Sequence, residues 1–270
     1  MIGTIRIFFM LAAMLMLCLT LLPLQYLFLK LKNGWKRSLP KLFHRIAARL
    51  FGFRVHIIGQ MHSGRPLLLV SNHVSWSDII VLSTAGQVSF IAKSDVRSWP
   101  VFGQFAVLQR TVFVERERRG KTGEQTSEIA QRLVAGDAMV LFPEGTTSDG
   151  NRVLPFKTAL FGAAHAAIKE AQVPEIFVQP VAIAYTSVHG MPMGRYHRPI
   201  ASWPGDVELL PHLKGILREG AIDVEIRFGE PVAVNAATDR KVLARAMEGK
   251  VRALLQTSLL GRDIDEDDSE

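Results

Sequence analysis

Cysteine is nearly absent: Cys18 is the only one in 270 residues. That excludes an intramolecular disulfide, a cysteine-built zinc site and a CxxC redox pair. Aromatic residues are also few, at 8%, and no stacking motif or groove-reading element for nucleic acid stands out. No GxSxG elbow occurs, which leaves an α/β-hydrolase serine without support. Neither GxGxxG nor a P-loop occurs, so neither a dinucleotide nor ATP is implied. Charge is missing from one stretch altogether: Ile7–Leu29 is 23 residues long and carries none.

That run is long enough to cross a hydrocarbon core, which takes roughly 20 apolar residues. A helix packed in a soluble core would show a polar stripe, and this one shows none. No small-x-small cleavage site comes after it, so a secretory signal peptide fits poorly. The adjoining stretch is basic: Lys30, Lys32, Lys36, Arg37, Lys41, Arg45, Arg49 and Arg54, eight bases in 25 residues. By the positive-inside rule such a flank stays cytoplasmic. Residues 1–30 are therefore expected to be a membrane anchor helix, and Pro23 leaves open whether it spans or re-enters. Residues 31–54 read as a basic amphipathic helix, with Trp35, Leu39, Leu42, Phe43, Ile46, Leu50 and Phe51 at three- and four-residue spacing. It suits the lipid interface, and equally a place packed on the body. Residues 261–270 read as an acidic, disordered tail. Without residues 1–29 and the last nine, 30 bases face 19 acids, a net of +11 that favours anionic partners.

The body, 55–260, alternates β-rich runs with helical patterns, which argues one α/β domain with a largely buried sheet. Strands are expected at Val55–Ile58, Leu67–Ser71, Val88–Ile91, Thr111–Glu115, Ala138–Phe142, Ile176–Tyr185 and Ile222–Phe228. Helices are expected at Ser75–Thr84, Thr122–Ala135, Lys157–Lys169 and Asp239–Leu259, with Gly136 as a C-cap. Ligands gather at the carboxyl ends of strands in such sheets. Three polar clusters come directly after three strands: Asn72-His73-Val74-Ser75-Trp76-Ser77-Asp78, then Arg116, then Pro143-Glu144-Gly145-Thr146-Thr147-Ser148-Asp149.

His73 and Asp78 are five residues apart, roughly 140° on a regular helix, so they meet only if His73 sits in the turn before a helix beginning near Ser75. A carboxylate on one ring nitrogen would then leave the other to act as a general base on a hydroxyl. The alternative is a capping box, Ser75-x-x-Asp78, with His73 an ordinary turn residue. With Cys18 inside the apolar run and no serine elbow, a base without a protein nucleophile points to attack by the substrate's own hydroxyl. Arg116 is a natural anion clamp or else a solvated charge. Gly145 lets a ligand approach the backbone, and Glu144 beside it can order a basic or hydroxylated group, unless the stretch is a plain turn. No third ligand stands near His73 and Asp78 at metal spacing.

Together, Asn72-His73-x-x-x-x-Asp78, Val112-Phe113-Val114-Glu115-Arg116, Phe142-Pro143-Glu144-Gly145-Thr146 and Val178-Gln179-Pro180-Val181 resemble the four ordered blocks of the glycerolipid acyltransferase family. Its bacterial 1-acyl-glycerol-3-phosphate acyltransferase branch is the nearest in pattern, close to the lyso-ornithine lipid acyltransferases. The resemblance covers about residues 40–235 and includes Lys93 through Gly103. It implies an α/β sheet flanked by helices and held to one leaflet by N-terminal helices, with an acyltransferase domain over 55–260. It also implies that His73 is the base and Asp78 its orienting partner, with no acyl-enzyme. Arg116 would hold the acceptor's phosphate, Glu144, Gly145 and Thr146 would position the acceptor, and Pro180 would be structural. No cofactor is implied; the co-substrate is an acyl carrier protein or coenzyme A thioester. The implied partners are a lysophospholipid acceptor and membrane lipids, without nucleic acid, and the implied place is the cytoplasmic face of a bacterial inner membrane.

In many relatives an Arg comes after the Glu-Gly-Thr of the third block; here the residue is Thr147. Arg152 or Lys157 would have to replace that charge. Phosphatidic acid synthesis in phospholipid biosynthesis is the leading expectation, with acylation of lyso-ornithine lipid, an acceptor without phosphate, as the alternative. A thioester or lysolipid hydrolase using the same pair on water, and a non-catalytic anionic-lipid-binding module, are more remote.

Overall fold

The computed structural model describes residues 2–114, 122–161, 169, 173–205 and 207–261. Two helices come first, α1 (Ile2–Lys30) and α2 (Trp35–Phe51), followed by β1 (Phe53–Ile58) and β2 (Leu67–Ser71). Then come α3 (Asp78–Ala85), β3 (Val88–Lys93), a 3-10 turn (Ser94–Ser98), α4 (Phe102–Leu108), β4 (Val112–Val114), α5 (Thr122–Val134) and β5 (Ala138–Leu141). The chain continues through β6 (Ile176–Val188), β7 (Met191–Pro192), α6 (Leu209–Glu219), β8 (Ile222–Phe228), β9 (Val232–Val234) and α7 (Arg240–Leu260).

Among the described residues the strands form one nine-stranded sheet in the order β1-β8-β6-β2-β5-β3-β4, with β7 and β9 also on β6. Pairing is parallel from β6 through β2, β5 and β3 to β4, and β8 runs antiparallel to β6. All five residues of β2, Leu67-Leu68-Leu69-Val70-Ser71, are buried, as expected of a central strand covered on both faces. The alternation of a pleated strand sorts them. Leu68 and Val70 join Met139, Ile129, Leu133, Leu243, Met247 and Val251 under α5 and α7. Leu67 and Leu69 join Val140, Val81, Leu82, Ala48 and Ile216 under α2, α3 and α6.

Pro180 lies inside β6, where a missing N–H would ordinarily break a ladder. It falls where the outer partner of β6 changes: β9 pairs with 176–178 and β8 with 181–188. Only its carbonyl is used there, accepting from Gly229 N–H at 2.9 Å.

Boundaries and some elements differ from expectation. β2 and β8 occupy the expected residues, while β6 runs on to Val188 and β1 begins at Phe53. α3 begins at Asp78 rather than Ser75 because the N–H groups of Val74 and Ser75 are both taken by the Asp78 carboxylate, which holds a turn ahead of the helix. Gly136 has φ 80°, the left-handed position expected of it. α4 and α6 were not anticipated: Pro211 and Gly215 disguise α6 in the sequence, although proline is tolerated in a first turn. Of the helix expected at Lys157–Lys169, residues 158–161 are helical and 162–168 lie outside the described residues, as do Glu115, Arg116 and the tail from 262.

α1 is long and apolar enough to cross a membrane and is mostly uncovered, with Phe8, Phe9, Leu15, Met16 and Leu19 exposed. α2 packs on α3 and α1. It buries Leu39, His44, Ala47 and Ala48 and leaves Trp35 and Leu42 exposed.

Candidate active site

The polar clusters after β2 and β5 lie at the carboxyl ends of two adjacent parallel strands. β4, which precedes Arg116, stands three places from β2 in the sheet, about 14 Å at the usual strand spacing. Arg116 itself lies outside the described residues.

His73 occupies the turn before α3, and its Nδ1 is 2.7 Å from Asp78 Oδ2. That same oxygen accepts from Val74 N–H at 2.6 Å and Ser75 N–H at 3.0 Å. The reach-back bond of a capping box and the imidazole contact therefore share one atom. Asp78 is wholly buried, whereas 21% of the His73 side chain is exposed. A carboxylate can only accept, so Nδ1 carries a hydrogen, and in the neutral ring that leaves the lone pair on Nε2. The imidazole lies flat on Phe142, with ring centroids 4.2 Å apart and 15° between planes. Asn72, also buried, donates to Ile183 O at 2.9 Å and accepts from Ile183 N–H at 2.8 Å. That side chain pins the His73 turn to β6.

Glu144 faces inward. Its Oε1 accepts from His73 N–H at 2.8 Å and its Oε2 from Leu154 N–H at 3.1 Å. Burial pushes its carboxyl up to about 8, opposed by those two N–H groups and reinforced by Asp78 and Glu248. Gly145, at φ 71°, makes the next turn, and Ser148 N–H donates to His73 O at 2.8 Å. Thr146 is exposed beside this turn. The Thr147 hydroxyl donates to the Trp203 carbonyl, while Trp203 N–H donates to Val74 O at 2.8 Å. Arg152 and Lys157 are both exposed.

Two members of this group escaped the sequence reading. The Tyr185 hydroxyl, from β6, donates to Asp78 Oδ1 at 2.8 Å, and Ser77 Oγ lies 2.6 Å from the Tyr185 oxygen. Ser77 stands inside the quoted motif but carried no signal of its own, and Tyr185 is 107 residues from Asp78.

Residues 52–184 match the family model described as Acyltransferase. A lyso-ornithine lipid O-acyltransferase of Brucella abortus (strain 2308) is 79% identical over 266 residues, 98% of this chain and 100% of that protein. This chain belongs to the acyltransferase family. Another member, the lyso-ornithine lipid O-acyltransferase of Rhizobium meliloti (strain 1021), is 53% identical across 92% of this chain and 85% of its own length. The acyltransferase fold is seen in the crystal structure of the 1-acyl-sn-glycerophosphate (LPA) acyltransferase PlsC from Thermotoga maritima. It superposes with a TM-score of 0.64 at 22% identity, covering 98% of this chain and 97% of that one. The family match runs from the end of α2 into β6 and takes in His73, Asp78 and Glu144; Tyr185 lies just past its last residue.

Proposed function

We propose that this acyltransferase moves a fatty acyl chain from a thioester donor to the free hydroxyl of lyso-ornithine lipid. The observation that carries the acceptor is the 79% identity, over nearly the whole chain, to a protein of that name. The sequence alone favoured 1-acyl-glycerol-3-phosphate. Two local features support the change: Thr147 stands where that reading wants a cation, and its hydroxyl is tied to Trp203.

In this reading His73 Nε2 takes the proton of the acceptor hydroxyl as its oxygen attacks the thioester carbonyl. The carbon–sulfur bond breaks, and the imidazolium returns the proton to the departing thiolate. Asp78 holds the tautomer and balances the imidazolium. Thr146 lines the acceptor side, and Arg116 holds an anionic part of the acceptor or donor. Acyl carrier protein and coenzyme A are both anionic, which suits a chain of net charge +7. The body works at the cytoplasmic face of the membrane, where the basic flank after α1 belongs.

The test is an acyl-transfer assay on membranes holding the wild-type protein or His73→Ala, with labelled acyl carrier protein as donor and both acceptors in parallel. Labelling of ornithine lipid that disappears in His73→Ala is the expected result. Labelling of phosphatidic acid alone would keep the mechanism and replace the acceptor. Free fatty acid as the sole product would indicate hydrolysis.

A further inference from the structure

The two oxygens of Asp78 are unequally supported. Oδ2 takes three donors, from His73, Val74 and Ser75. Among the described residues Oδ1 takes one, the Tyr185 hydroxyl. Asp78 has no exposed surface, so water does not replace that donor. These contacts fix the direction of each proton. The carboxylate accepts, so the one proton of Tyr185 points at Oδ1, and the proton between Ser77 and Tyr185 must come from Ser77. A chain results in which Ser77 donates to Tyr185, Tyr185 to Asp78, and His73 Nδ1–H to the same carboxylate from the other end. Hydrogen bonds in such a chain polarise and strengthen one another.

Tyr185 is delivered to this position by the sheet. Asn72 grips the backbone of Ile183, and Tyr185 lies two residues on, so it faces the same side of β6. One side-chain bridge thus sets the distance between the His73 turn and the phenol. The ring is fully buried and meets Phe53 edge-on at 6.4 Å.

We propose that Tyr185, supported by Ser77, is a positioning residue for acyl transfer: it holds the second oxygen of Asp78 and thereby fixes the orientation and basicity of His73. This rests on the reading of His73 as the general base. Without the phenol, the carboxylate is free to turn about its Cβ–Cγ bond and its charge is less dispersed. A less dispersed charge holds an imidazolium more tightly and raises the proton affinity of His73. Among the described residues the ionisable groups facing Asp78 are His73 from the β2–α3 turn, Tyr185 from β6 and Glu144 from the segment after β5.

The experiment compares wild type, Tyr185→Phe, Ser77→Ala, the double variant, Asp78→Asn and His73→Ala in the full-length protein, with pH profiles of kcat and with KM for both substrates. Tyr185→Phe is expected to lower kcat ~10- to 100-fold, the usual weight of a hydrogen bond to a charged group, with KM nearly unchanged. Its acid limb should move to higher pH. Ser77→Ala, which spares the buried ring, should lower kcat about 3-fold in the same sense. The double variant should be no worse than Tyr185→Phe, and Tyr185→Phe should add nothing in an Asp78→Asn background. A Tyr185→Phe enzyme with wild-type kcat and an unmoved acid limb, beside an inactive His73→Ala, would overturn this proposal alone. So would a loss that falls on KM and thermal stability without moving the limb. Turnover by His73→Ala would overturn the base reading beneath it.

Discussion

Glu144 shows how a residue's type and its orientation carry different information. Its place in the third block marked it for acceptor binding, yet both its oxygens take backbone N–H groups, those of His73 and Leu154. A carboxyl used in that way anchors the His73 turn to the loop beyond β5. Removing it leaves two N–H groups unpaired in a buried place, at a cost of about 1–3 kcal/mol each. Glu144→Ala is therefore expected to lower kcat at least ~10-fold and to lower Tm, while KM for the acceptor stays within about twofold. Steady-state kinetics against acceptor concentration checks this; a change confined to KM would return Glu144 to acceptor binding.

At the scale of elements, the junction of α1, α2 and α4 is polar where its surroundings are apolar. Gln25, buried within α1, donates to Lys36 O at 3.0 Å and Leu108 O at 2.8 Å. Beside it, His44 Nε2 lies 2.9 Å from Gln109 Oε1, and Gln109 donates on to Val88 O at 3.0 Å. Burial pulls His44 down to about 4, against the bond to Gln109, which acts the other way. An unfolded histidine titrates near 6.5. Between those values the unfolded chain takes up a proton that the folded chain refuses, so stability falls as pH drops from 6.5 towards 4, by about 3 kcal/mol in all. Thermal unfolding in detergent micelles should show Tm falling across that window. In His44→Gln, which keeps a donor for Gln109, this part of the fall should vanish.

For the whole molecule the question is how α1 sits on the body. It has 29 residues, about 44 Å of helix, and both of its ends touch the same globular unit. Near its start Arg6 Nη1 donates to Glu219 O at 3.3 Å, at the end of α6; near its finish Gln25 reaches α4. Arg6 and Gln25 are about 29 Å apart along the helix. A helix crossing the bilayer upright would carry Arg6 to the far face, beyond reach of α6. The expected arrangement is an α1 lying against the body with its apolar side in one leaflet. An N-terminal tag in sealed vesicles should then be digested together with the body when protease is added to the body's side. Protection of the tag while the body is digested would establish a span.

Much of this was legible along the chain. An uncharged apolar run of 23 residues is long enough to read as a helix shielded from water, and five consecutive apolar or small residues at 67–71 read as a buried strand. The His73–Asp78 contact was legible as one of two readings, beside a capping box, because five residues leave only a turn in which the pair can meet. What stayed hidden depends on register between distant segments. Asn72 finds Ile183 across 111 residues, and Asp78 finds Tyr185 across 107. No local periodicity encodes such pairs, since they are set by which strands lie side by side and by which face of each pleat a side chain takes. Composition and motif spacing sufficed for an α/β domain preceded by an apolar helix, with a histidine at a strand end, and the four ordered blocks carried the resemblance to acyltransferases. Which buried groups hold His73 was settled in three dimensions, because a hydrogen bond needs two atoms within about 3 Å and folding alone brings them there.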